Sequence, residues 1–239
     1  MVYIKIMKSK IELIIFDMDG LIIDSESVSI NAWKKVFKNN NVIFNNDADE
    51  NDFFKNIIGS NVVYSSKYVE KIFKYKTYTN IIQEQRNEIE NIIKSDGLNT
   101  KKGAYEILDY LSSNLNIKKA IASSSVSSRV KKFLNIVNIY DKFDYILSGD
   151  EVTNPKPAPD LYNKVCEYFN IIDRNNVIII EDSKNGLIAA KEAGIEKRFY
   201  IPDIFKLTEN EERELSYKKF NNLLEVIDYL KDNLFIAAL

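Results

Sequence analysis

The chain has no histidine among its 239 residues. That absence excludes Ser-His-Asp and Cys-His nucleophile schemes, imidazole zinc sites and histidine as a general base. A single cysteine excludes an internal disulfide and a cysteine zinc cluster, and it is compatible with a reducing compartment. The formal net charge of −2 gives no electrostatic basis for binding nucleic acid or acidic membranes. No apolar run approaches the roughly 20 residues that span a bilayer. Residues 1–10 are interrupted by Lys5, Lys8 and Lys10, so they do not read as a signal peptide. A cytoplasmic protein, monomeric and without a membrane partner, is the expectation. Hydrophobic residues at 45% and charged residues at 28% describe a globular chain with a sizeable core. Its chemistry must run on carboxylates, lysines and hydroxyls, with or without a hard metal ion.

The stretch from Glu12 to Glu26 organises the rest. Leu13 to Phe16 reads as a buried strand that carries Asp17 and Asp19 to its carboxyl end, where open α/β sheets place their ligands. Alternate residues of an extended chain point the same way, so both carboxylates can face one small site. Two acids that close require a cation or a shared proton. Gly20 allows a sharp turn away from them. The duller account of this stretch is an ordinary strand-to-turn junction, where Asp-Gly is common. A calcium loop does not, because its glycine and glutamate belong at the sixth and twelfth positions.

From Val28 to about Lys94 the pattern is helical and free of proline. Ile30, Trp33 and Phe37 share a face, as do Tyr68, Val69, Ile72 and Phe73, and then Ile89, Ile92 and Ile93. Asn39 to Asp52 reads as a loop, and Gly59-Ser60-Asn61 as a second one, either a plain turn or a segment reaching back toward the first site. After Gly103, helices alternate with strands. Ala104, Ile107, Leu108 and Leu111 form a helix face, 119–122 a strand, and Val126, Val130, Phe133 and Leu134 another helix face. Residues 143–147 form a third strand. Asn154 to Asp160 holds three of the four prolines and is a stiff loop, with Asp160 capping the helix of Leu161, Tyr162, Val165 and Phe169. Cys166 lies on that face as a core thiol. Val177 to Ile180 is a strand, Lys184 to Ala193 a helix ended by Gly194, and Phe199 to Ile201 a last strand. Glu209 to Glu214 reads as a solvated face, and Leu223, Leu224, Ile227 and Leu230 as a closing helix. The expected fold is α/β, a doubly wound parallel Rossmann-like sheet over residues 1–26 and 96–239, with a small helical cap inserted over 27–95.

Four strand ends, or the loops after them, carry Asp17/Asp19, Ser123/Ser124, Lys156 and Glu181/Asp182. In a parallel sheet these lie on one edge. The carboxylates suit Mg²⁺ shared with a phosphate, the serine loop before a helix is an anion site, and Lys156 is a point charge for a phosphoryl oxygen. An ionised Asp17 can attack phosphorus, and Asp19 is placed to protonate the leaving oxygen and later deprotonate water. Each has a duller explanation alone: Ser123 as a helix cap, Lys156 as a surface charge, Asp182 as a turn residue.

In this order, Asp17-Met18-Asp19-Gly20 with Asp24-Ser25-Glu26, Ala122-Ser123-Ser124-Ser125, Lys156-Pro157-Ala158-Pro159-Asp160, and Glu181-Asp182-Ser183-Lys184-Asn185-Gly186 resemble the haloacid dehalogenase superfamily, in the subgroup with a helical cap after the first motif. The resemblance implies Asp17 as nucleophile and Asp19 as acid/base. It implies Mg²⁺ on Asp17, Asp182 and the backbone carbonyl of Asp19, with Glu181 a direct or water-linked ligand. Ser123 and Lys156 would hold the phosphoryl group, and the cap would close over the core.

Within that subgroup the β-phosphoglucomutase type resembles this chain at Asp24 and Trp33. Those mutases carry a histidine in the first cap helix and an arginine in a cap loop. Here Ser27-Val28-Ser29 and Gly59-Ser60-Asn61-Val62-Val63 stand instead. Dehalogenation does not need the acid that Asp19 supplies, and a non-catalytic relative would be expected to lack Asp17, Asp19 or Lys156. The expectation is therefore a phosphatase acting on a sugar phosphate, polyol phosphate or nucleotide. Ser29, Gly59 to Val62 and Tyr64 are positional candidates for substrate contacts.

Overall fold

The computed structural model describes residues 11–57, 62–74, 76–114 and 117–233. Gly59, Ser60 and Asn61, and the side chains of Val62, Val63 and Tyr64, lie outside the described residues. The chain divides into two compact units, Asp24–Asn99 and a second made of Met1–Ile23 with Thr100–Leu239. No described helix is long and apolar enough to cross a membrane.

The Asp24–Asn99 unit contains α1 (Ser25–Asn39), α2 (Asp47–Ile57), α3 (Val62–Ile72) and α4 (Tyr78–Asp96). Trp33, Phe37, Phe53, Phe54 and Phe73 are buried and touch ring to ring. Thr77 caps α4 by accepting the Asn80 N–H. The expected loop over Asn39 to Asp52 is shorter than its composition indicates, because α2 begins at Asp47. The Asn46 side chain accepts the Asp49 N–H at 3.0 Å, and Asp47, Asp49 and Glu50 put negative charge at the helix start.

In the other unit, six strands among the described residues form one parallel sheet in the order β3-β2-β1-β4-β5-β6. They are β1 (Leu13–Phe16), β2 (Lys118–Ala122), β3 (Tyr145–Leu147), β4 (Val177–Glu181), β5 (Lys197–Tyr200) and β6 (Lys218–Lys219). β1 sits in the middle, with Phe16 in register with Ile121 on one side and Ile180 on the other. All of its residues are buried, as a strand covered on both faces requires. Helices α5 (Ala104–Asn114), α6 (Ser127–Ile136), α7 (Asp160–Tyr168), α8 (Lys184–Glu192), α9 (Glu209–Leu215) and α10 (Leu223–Asn233) complete the unit. Leu161, Tyr162, Val165, Cys166, Ala189 and Ala190 pack with Leu13, Ile15, Ala120, Ala122, Val177 and Ile179. Cys166 is a core thiol, and burial pushes it up to about 11.

Several local expectations need correction. β3 starts at Tyr145 rather than Phe143, since the Asp144 carboxylate itself accepts the Lys119 N–H at 2.8 Å. Val126 precedes α6 and is exposed instead of facing the core. Asp160 does not cap α7: it is the first helical residue, and its Oδ2 accepts from both the backbone N–H and the side-chain amide of Asn154 at 3.1 Å. It thereby closes the loop that carries Lys156. The acidic segment is the solvated face expected of it, carried on α9, which starts with a reciprocal pairing of Thr208 with Glu211. In α10, Val226 rather than Leu224 completes the buried face with Leu223, Ile227 and Leu230. β6 is two residues long, too short to leave a pattern.

Candidate active site

β1 pairing continues one residue past the strand, where the Asp17 N–H donates to the Ile180 carbonyl at 3.0 Å. Asp17 is thereby fixed at the sheet edge, buried, with its Oδ1 2.6 Å from the Lys156 ammonium. Lys156 reaches in from the loop after β3 and also donates to Glu181 Oε1 at 2.6 Å and to the Ala122 carbonyl at 2.8 Å. These contacts use all three of its donors. Glu181 ends β4 and is fully buried. The Tyr162 hydroxyl donates to its Oε1 at 2.6 Å, while its Oε2 accepts from the Asp182 and Ser183 N–H groups and from the Ser183 hydroxyl. Gly186 makes room for this carboxylate, because a Cβ there would collide with it.

Asp19 has different partners. Its Oδ2 accepts the Ser125 hydroxyl at 2.8 Å, and Ser123 Oγ lies at 3.5 Å. Its Oδ1 accepts from Arg129 Nη2 at 2.9 Å. Arg129 belongs to α6, and its guanidinium lies over the Phe133 ring at 4.6 Å. Ser123 is buried, and its hydroxyl accepts the Ser125 N–H at 3.1 Å, which curls the loop toward Asp19; Ser124 is exposed. Ser123 is not a helix cap, since α6 begins only at Ser127. Gly20, at φ +79, follows Asp19, and a Cβ on it would strike Asp182 Oδ2. Ser29 lies in the helical unit, where its hydroxyl accepts from Gln85 at 3.1 Å.

Burial pushes Asp17 up to about 7; Glu181 and Asp19 add to the rise, and Lys156 opposes it. Burial acts to lower Lys156, but Asp17 and Glu181 outweigh it and hold the ammonium well above its ordinary range. The lysine therefore stays charged at neutral pH, while burial disfavours the ionised form of the aspartate. Single oxygens of Asp17, Glu181 and Asp182 lie within 4.8 Å of one another, and all three residues are buried. One ammonium against three carboxylates leaves excess negative charge. A small hard cation fits that donor set and would favour ionised Asp17.

The structure thus brings Asp17, Lys156, Glu181 and Asp182 to one cluster, with Asp19 and Ser123 beside it. Sequence reading missed Tyr162, Ser125, Arg129 and Gly186. Tyr162 reads as core from its helical spacing, and its hydroxyl's partner is nineteen positions away. For Arg129, its place one turn into the helix after the serine loop was the available signal.

A family model of haloacid dehalogenase-like hydrolases matches residues 14–199. A phosphorylated carbohydrates phosphatase from Thermotoga maritima is 29% identical over 80% of this chain and 85% of its own length. A 6-phosphogluconate phosphatase from Escherichia coli (strain K12) is 22% identical, over 82% of this chain and 85% of that protein. Among solved structures, a Thermotoga maritima protein that carries a provisional β-phosphoglucomutase label matches at a TM-score of 0.77 and 26% identity, covering 94% of this chain and 100% of that one.

Proposed function

The chain belongs to the haloacid dehalogenase-like hydrolases, and on that premise we propose that it is a phosphatase cleaving phosphate monoesters of small phosphorylated metabolites, carbohydrates first among them. The observation that carries this reading is the buried Asp17–Lys156 pair, 2.6 Å apart at the end of the central strand. A lysine that fixes a carboxylate's orientation and neutralises charge beside it suits attack on a phosphoryl group. The phosphatase relatives support the same class of substrate.

An Asp17 oxygen attacks phosphorus and the bond to the leaving oxygen breaks, giving an aspartyl-phosphate. Asp19 protonates the departing oxygen, then takes a proton from the water that attacks the phosphoryl group. Inorganic phosphate leaves and Asp17 is restored. Asp19 is held here by Ser125 and Arg129, so acting on the leaving group means exchanging one of those partners for it. Ser123 and Ser124 hold phosphoryl oxygens, and Lys156 joins them by exchanging one of its three present acceptors for a phosphoryl oxygen. The carboxylates of Asp17 and Asp182, the backbone carbonyl of Asp19 and, directly or through water, Glu181 would hold Mg²⁺. When bound, that ion supplies further neutralisation of charge on the phosphoryl oxygens. The Asp24–Asn99 unit serves as the cap, with Ser29 and the segment Gly59, Ser60 and Asn61 as candidate substrate contacts.

A phosphate-release screen over sugar, polyol and nucleotide monophosphates with Mg²⁺ tests this reading. Asp17→Asn is expected to lower turnover at least about a thousandfold. Unchanged turnover in that variant sinks the aspartyl-phosphate mechanism. Accumulation of glucose 6-phosphate from β-glucose 1-phosphate with a bisphosphate activator, in place of free phosphate, would replace the phosphatase with a mutase.

A further inference from the structure

Asp203 lies in the loop after β5, and that loop is tied to the end of β4 by the Ile201 N–H, which donates to the Glu181 carbonyl at 2.9 Å. The Asp203 side chain is 9% exposed. Its Oδ1 pairs with the Lys101 ammonium. Its Oδ2 is buried and has no hydrogen-bond partner among the described residues. An Asp203 oxygen lies within 4.8 Å of an Asp182 oxygen. Both carboxylates crowd Gly20, where a Cβ would strike Asp182 Oδ2 and come within 3.0 Å of Asp203 Oδ2. A glycine is thus required so that two acidic oxygens can approach one another in a buried place. Without a donor or a cation between them, that approach is unfavourable. Lys101 pairs with Oδ1 of Asp203, and Oδ2 is left without a hydrogen bond among the described residues.

We propose that Asp203 is a positioning residue of the divalent-cation site. Its Oδ2 is an acceptor for the hydration shell of an ion held by Asp182, and Lys101 neutralises the charge on its other oxygen. Mg²⁺ keeps several of its waters, and the acceptors around them set affinity as the direct ligands do. This rests on the reading of Asp17 and Asp182 as cation ligands.

The test is Mg²⁺ titration of the metal-free full chain by calorimetry, with thermal unfolding followed alongside. Asp203→Asn is expected to weaken Mg²⁺ binding about tenfold or more, while the metal-free protein melts no lower than wild type because a repulsion has been removed. Lys101→Met leaves Asp203 uncompensated, and is expected to show a larger Mg²⁺-induced rise in melting temperature than wild type. Wild-type Mg²⁺ affinity in Asp203→Asn overturns the proposal. If that variant does not fold, Lys101→Met decides, and a Mg²⁺ response no larger than that of wild type overturns it. Asp182→Asn is the reference. Should it bind Mg²⁺ as wild type does, the assignment of the cation site fails, and this proposal with it.

Discussion

Around β1 the interior is made of Leu13, Ile15, Ala120, Ala122, Val177 and Ile179, aliphatic side chains in a lattice set by backbone pairing. The Asp24–Asn99 unit fills its interior with rings instead: Phe37 meets both Phe44 and Phe53 at 4.9 Å, and Trp33 meets Phe53 at 5.1 Å. Charge follows the same division. Among the described residues, the buried charged residues are Asp17, Lys119, Glu181, Asp182 and Arg198, and with the buried side chain of Lys156 all belong to the sheet unit. A strand bonded on both sides can hold a carboxylate in a dry place, because its backbone cannot retreat toward water. Four helices held by ring contacts have no such restraint, and their buried polar groups are Ser25, Ser65 and Gln85.

Substitutions can break that contrast. The largest expected effect is from Lys156→Met, which strands Asp17 and Glu181 without their shared cation. A loss of about 3–5 kcal/mol in urea unfolding is expected. Recovery of most of that loss in the double variant Lys156→Met, Asp17→Asn would confirm that the cost is uncompensated charge. Next is Phe53→Ala in the ring cluster, expected to cost about 3–4 kcal/mol. Its signature differs, since cavity creation is insensitive to pH while the Lys156 variant's deficit shrinks as the stranded acids are protonated. Parallel pH dependence for the two variants would show the contrast to be false.

The smallest effect is on the surface. Glu211 is held down at about 2, first by its hydrogen bond from Lys184 and then by those from Thr208. A depressed carboxylate contributes stability that is present above its unfolded value of 4.5 and is lost as pH falls toward 2. Lys184→Met is therefore expected to cost at most ~0.5 kcal/mol at pH 7, because the pair is solvent-screened. The difference from wild type should close between about pH 4.5 and 2. A surface pair whose removal cost as much as Lys156 would contradict the idea that burial sets the scale.

Much of the sheet was legible because its strands are continuous apolar runs that end in polar residues, as Leu13 to Phe16 and Val177 to Ile180 do. The chemistry at those ends was legible because carboxylates, a lysine and serines recur at the same relative place along the chain. What was not legible depends on partners distant in sequence. Tyr162 looked like core and is core, yet its hydroxyl bonds Glu181. Arg129 sits on a helix whose rotation relative to Asp19 no local pattern sets. Ser123 and Ser124 look equivalent on paper, but consecutive residues leaving a strand point apart, so one is buried and the other exposed. At the start of α2, Asn46 and the acids after it were counted as loop composition when they are helix-start signals.

The central position of β1 also bears on how the molecule is made. Residues 13–16 pair with 118–121 and with 177–180, so β1, once out of the ribosome, has neither neighbour until far more of the chain has followed. At ~5–20 residues per second that wait is on the order of ten seconds. The helices of Asp24–Asn99 pack against one another within that stretch, α1 against α4 included, and so meet well before then. Asp17 and Asp19 thus wait long after their own synthesis for the residues that surround them. For that interval, nascent-chain handling must shield a bare apolar strand.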